Sequence, residues 1–167
     1  MSVIHILTSD NYFRLGLKYL LGDCKDFQNI SFAILDDGVQ YLYLIDTTLS
    51  SDMNLTFSKS IDYFLENVRL VMPKYVTPRK LNITLKIYVK GELHNSSLTE
   101  NERIVLKDIA CGIPSLISQR KFSMDYRQWH RYKSRAFKRI GISNTVSYMR
   151  VIHTWNMLVF HRARHNA

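Results

Sequence analysis

Arg127, Arg131, Arg135 and Lys138 recur at steps of four, four and three residues. Placed ~100° apart per residue on a helix, they fall within an arc of ~80°, with Ser134 beside them. Trp129, Tyr132, Ala136 and Ile140 fall on the opposite side. A helix over residues 125–139, capped by Asp125, therefore turns one face to a core and carries a ridge of cations on the other. Helices that meet only water usually mix charge signs, because acid–base pairs at i,i+4 stabilise them. Between Arg120 and Arg139 there are eight basic residues and a single acid, Asp125. Contact with a polyanion, with release of its counterions, resolves that self-repulsion. A helix fits the major groove of B-DNA and not the deep, narrow groove of A-form RNA, so double-stranded DNA is the expected partner.

The formal net charge of the 167-residue chain is +9. Residues 1–97 hold ten Lys/Arg and ten Asp/Glu, whereas residues 98–167 hold thirteen and four, so the whole excess lies in the C-terminal part. That asymmetry indicates a polyanion-binding module joined to a neutral one. Other chemistry is poorly supported. Cys24 and Cys111 stand far apart with no metal-ligand spacing, and His130, His153 and His161 lack a carboxylate cluster to orient them. We therefore expect no enzyme, no cofactor and no metal. No apolar run reaches the length of a membrane helix and the first residues do not resemble a signal peptide, so a cytoplasmic location is expected.

The elements that must position the basic helix follow from periodicity. Residues 3–7 read as a buried strand, and Thr8-Ser9-Asp10 as the start of a helix with Phe13, Leu17, Leu20 and Leu21 on one face. Strands are expected at 30–35 and 39–45, separated by the turn-like Asp36-Asp37-Gly38, then a loop at 47–55 and a helix at 58–70. The alternation of Leu81, Ile83, Leu85, Ile87 and Val89 predicts a further strand. Gly91 to Ser97 is the candidate linker. Beyond it the strand signals stop, and helices are expected near 99–111, 114–121, 125–139 and 144–160. Strands alternating with helices imply an α/β unit with a mainly parallel sheet. The expected organisation is thus a regulatory or dimerisation domain at 1–92, a linker at 93–97 and an all-α four-helix DNA-binding domain at 98–167. Pro114 to Lys121, the turn Phe122-Ser123-Met124 and the basic helix complete a helix-turn-helix outline.

Residues 97–106, Ser-Leu-Thr-Glu-Asn-Glu-Arg-Ile-Val-Leu, resemble the opening of the LuxR/GerE family, "S-L-T-x-x-E-x-x-V-L". Ile109-Ala110-Cys111-Gly112 is similar to its "I-A-x-G", and residues 138–142 to its "R-K-L-G-V", with ungapped spacing between them. Thr99 and Glu102 stand at capping-box spacing. Two places depart: Ile117-Ser118-Gln119 replaces "E-I-A", and Gln128-Trp129-His130-Arg131-Tyr132 replaces "T-V-x-x-H". The resemblance implies that His130, Arg131 and Ser134 face base edges, while Arg127, Lys133, Arg135 and Lys138 hold phosphates.

The first strand and helix also resemble those of a receiver domain, including Arg14 and Gly16. Thr8 and Ser9 stand where receivers place a metal-binding acidic pair, with Asp10 one step late, and Asp46 occupies a place like the phosphoacceptor's. A truncated receiver-like unit before a LuxR-type tail resembles auxiliary regulators of enteric bacteria. It implies a transcriptional regulator that acts without phosphorylation, as a homodimer or as a heterodimer with another LuxR-type protein, with RNA polymerase a further candidate partner. Apolar residues Val146, Met149, Ile152, Trp155 and Leu158 in the last helix are the expected dimer contact. The competing reading is an interaction protein that modulates another regulator without touching DNA.

Overall fold

The structure, a computed structural model, describes residues 4–22, 32–45, 57–89 and 98–165, with side chains as far as residue 157. Asp46, Cys24, the loop at 47–55 and the linker at 93–97 lie outside the described residues, and His161 lies beyond the described side chains. Strand β1 (Ile4–Leu7) leads to helix α1 (Asn11–Gly22), followed by β2 (Phe32–Asp36), β3 (Tyr41–Ile45), α2 (Phe57–Asn67), β4 (Val68–Pro73) and α3 (Pro78–Val89). Four more helices complete the described chain: α4 (Glu100–Ala110), α5 (Ser115–Lys121), α6 (Tyr126–Ile140) and α7 (Thr145–His165). The four strands form one sheet in sequence order.

Side-chain alternation along the strands divides the core in two. Phe32, Ile34, Leu42, Leu44 and Met72 pack with α1 and α3. Ala33, Leu35, Tyr43, Ile45 and Val71 turn the other way, into a cluster that includes Phe64 of α2, Leu106 of α4, Phe137 of α6 and Trp155 of α7. Both faces of β2 and β3 are thus covered, which is why these strands read as continuous apolar runs. The C-terminal helices share a core with the sheet.

The expected fold class needs correction. The sheet is mixed: β1 and β2 are parallel, but β2–β3 and β3–β4 are antiparallel. For β2–β3 the cause lies in the short connection after β2, which can only return the chain antiparallel. Asp37 Oδ1 accepts the amides of Val39, Gln40 and Tyr41 at 2.8, 2.8 and 3.0 Å, and Gly38 takes φ +74°. The predicted strand at 81–89 is helix α3. Thr77 Oγ1 accepts the Lys80 amide at 3.3 Å and Pro78 is its first residue, a start that outweighs the alternation. Leu81 and Leu85, one turn apart, are its buried contacts. Finally, the helix expected over 58–70 stops at Asn67, and Val68 to Leu70 belong to β4. A mainly parallel receiver-like domain followed by a four-helix domain is therefore replaced, among the described residues, by a small mixed sheet with seven helices.

At one end of the sheet, β1, β2 and β4 meet in a polar knot. Asp36 Oδ2 accepts the Thr8 hydroxyl at 2.7 Å and lies 2.8 Å from Lys74 Nζ. Lys74 also pairs with Asp10 at 3.5 Å, while Asp10 Oδ1 caps α1 through the Phe13 amide at 3.0 Å. Burial opposes the Lys74 charge, but its hydrogen bond and charge pairing with Asp36 carry the pKa above the ordinary lysine value. The Phe13 amide holds the Asp10 carboxyl below its usual range. Among the described residues no group of three or more His, Cys, Asp or Glu side chains could hold a metal ion.

Candidate nucleic-acid interface

Helix α6 is delimited at both ends by its own sequence. Asp125 Oδ1 accepts the Gln128 amide at 2.7 Å, and Gln128 Oε1 accepts the Asp125 amide at 2.9 Å, forming a reciprocal capping box. Gly141 ends the helix with φ +78°, a left-handed conformation that glycine adopts without steric penalty. A Cβ there would also lie 2.6 Å from the Val71 carbonyl oxygen of β4, so the C-terminus of α6 rests directly on strand backbone.

The inner face of α6 consists of Trp129, Ala136, Phe137 and Ile140, all buried. Trp129 Nε1 donates to Ser118 Oγ of α5 at 3.1 Å. Two of the departures from the family pattern thus turn out to be partners. A small Ser118 stands where the pattern has isoleucine, and a large Trp129 stands where it has valine. The buried indole N–H thus has a hydroxyl acceptor across the α5–α6 contact. Glu102 links the other side. Its Oε2 accepts the Thr99 amide at 2.9 Å and its Oε1 lies 3.4 Å from Arg139 Nε, tying α4 to α6. Ser123, with φ 53°, makes the turn between α5 and α6.

The outer face gathers Arg127, Arg131, Ser134, Arg135 and Lys138, each exposed. Among the described residues none of those four cations has a carboxylate partner. His130 and Lys133 sit at the flanks, half-buried. The His130 ring lies 4.2 Å from Tyr126 and 5.1 Å from Trp129 between centroids, and Lys133 Nζ sits 5.4 Å over the Trp129 ring. Three further exposed groups on α5 and α6 were not among the predicted site residues. Tyr126 is 66% exposed at the start of α6, and Arg120 and Lys121 are exposed at the end of α5. The charge run signalled the last two; nothing in the spacing signalled Tyr126.

The expected apolar stripe on α7 splits in two. Ile152 and Trp155 are buried in the chain's own core, whereas Val146 and Met149 are exposed, as is Met157. Leu158 lies beyond the described side chains. Among the described residues no helix is long and apolar enough to cross a membrane. No family model matches the chain, and neither a curated protein nor a solved structure matches it significantly. The likeness to LuxR-type regulators therefore rests on the motif residues quoted above.

Proposed function

We propose that the protein is a sequence-specific DNA-binding transcriptional regulator of LuxR type that inserts α6 into the major groove of B-DNA. The observation that carries this reading is the outer face of α6, where Arg127, Arg131, Arg135 and Lys138 are exposed and have no carboxylate partner among the described residues, while the opposite face is buried. Charge of one sign on a rigid helix suits a phosphate backbone on either side of a groove. In this reading Arg131, Ser134 and His130 reach base edges, and Arg127, Lys133, Arg135 and Lys138 position the helix on phosphates. Two protomers, or one protomer and a related LuxR-type partner, read two half-sites, and regulation proceeds without phosphorylation. Thr8, rather than an acidic pair, follows β1, and Lys74 holds the neighbouring carboxylates.

The competing reading, a co-regulator that binds another regulator and no DNA, draws on the exposed Val146, Met149 and Met157 of α7. Genome-wide mapping of binding sites with the native chain and with Arg131→Ala separates the two. DNA reading predicts discrete sites that the substitution abolishes. Unchanged occupancy in the variant would remove α6 as the reading element.

A further inference from the structure

On the face of the sheet opposite α6, a cleft of about 620 Å³ runs between α1 and α3. Tyr12, Gly16 and Tyr19 of α1 form one wall, and Pro78 and Leu81 stand across from them. Gly16 is the informative residue. Glycine inside a helix weakens it relative to alanine, and Gly16 has neither of the usual compensations. Its φ is not positive, and a Cβ built on it would meet nothing within 4 Å. The chain's own packing therefore does not require glycine here, and its effect is to leave the middle of the cleft open.

We propose that this cleft binds a small, neutral, largely aromatic molecule carrying one hydrogen-bond acceptor. The volume lies within the usual range for small-molecule sites. Tyr12 and Tyr19 are seven residues apart, hence about 10 Å along the helix axis at ~1.5 Å per residue. That span suits a bicyclic ring system and is too short for a three-turn partner helix. The two tyrosines and Phe13 offer ring faces and edges, on which flat π systems stack favourably. Lys74 is the charged group of the lining, and its ammonium is already balanced by Asp36 and Asp10. A second anion there would compete with both carboxylates, whereas a carbonyl acceptor adds a hydrogen bond without disturbing the charge balance.

The test uses the full chain and 2-acetylnaphthalene as probe, followed by isothermal titration calorimetry, with 2-naphthoate and 2-naphthylmethylammonium as charged counterparts. The ketone is expected to saturate one site per chain and to bind more tightly than either ion. Gly16→Leu should fill the open space while improving helix propensity, so its melting temperature should hold or rise as affinity falls by about tenfold or more. Equal affinity in that folded variant, absence of saturable binding in the native chain, or tighter binding of either ion would each overturn the proposal. So would loss of self-association on Gly16→Leu without ketone binding by the native chain, which would make the cleft a protein-docking face.

Discussion

Replacing Arg127 and Arg135 together by alanine tests the DNA-binding proposal most directly, because its magnitude can be worked out beforehand. Both side chains are exposed and make no ion pair with a carboxylate among the described residues, so their loss should leave the melting temperature nearly unchanged. Each neutralised phosphate contributes about −0.9 to the slope of log K against log salt. With Arg127, Lys133, Arg135 and Lys138 on phosphates in each half of a dimer, the native slope should be about −7, and the variant lacking Arg127 and Arg135 should fall to about −3.6. Between ~50 and ~200 mM salt the native complex should weaken about 10⁴-fold and the variant only about 10²-fold. Fluorescence anisotropy on a duplex containing a mapped site, titrated at several salt concentrations, reads both slopes. Arg139→Ala is the control. Arg139 Nε lies 3.4 Å from the buried Glu102 carboxylate, and its own side chain is a third exposed. Its loss should cost about 1–2 kcal/mol of stability, less than for a fully buried pair because water reaches the arginine, and should leave the slope alone. A salt slope equal in the native chain and the folded double variant would refute the assignment of α6 as the phosphate-binding face.

Three further outcomes follow from the packing. Gly141→Ala places a Cβ against the Val71 carbonyl and forces a left-handed conformation on alanine, so urea unfolding should show a loss of about 2–4 kcal/mol. Trp129→Val should cost about 3 kcal/mol through the void it opens and Ser118→Ile should be destabilising by overpacking, whereas the double variant should recover at least about 1 kcal/mol relative to their sum, as measured in a double-mutant cycle. Asp10→Asn concerns pH. The folded Asp10 pKa is held below its ordinary value, first by the Phe13 amide, so its stabilising effect is present above the unfolded pKa and is lost as pH falls through the folded one. Urea midpoints measured across that acid window should therefore decline less steeply in the variant than in the native chain.

The sequence made the start and the inner face of α6 plain, because Asp125 and the inward spacing of Trp129, Ala136 and Ile140 all act within one helix. What it obscured required contacts between distant residues or a choice between two satisfied patterns. Leu81 and Leu85 fit both a strand of period two and a helical turn, and Thr77-Pro78 decided for the helix. The turn at Asp36-Asp37-Gly38 is visible in the sequence, yet the alternation of strands and helices along the chain points to a parallel sheet. The local turn governs the direction of β3 against β2, since four hydrogen bonds made by the Asp37 amide and carboxylate close it. On the site itself, the half-buried state of His130 and Lys133 depends on where the Tyr126 and Trp129 rings come to rest, which periodicity does not describe. The Glu102–Arg139 tie spans two helices and carried no signal in spacing at all.

Three elements hold α6 at three points. Trp129 is fixed near its start by Ser118 of α5, Arg139 near its end by Glu102 of α4, and Gly141 at its cap by the Val71 carbonyl of β4. Fixing points on three different neighbours determines the direction of a helix axis as well as its position. None of the four outward cations takes part in this framework. Their removal should therefore change binding and spare the fold, while substitutions on the inner face should do the reverse. β4 adds a further constraint, because the strand that meets Gly141 through Val71 runs three residues on to Lys74, which is held by Asp36 and Asp10. The angle at which the cationic ridge is presented is thus set by the same sheet that carries the polar knot, and a displacement of β4 would have to move the C-terminal end of α6 with it.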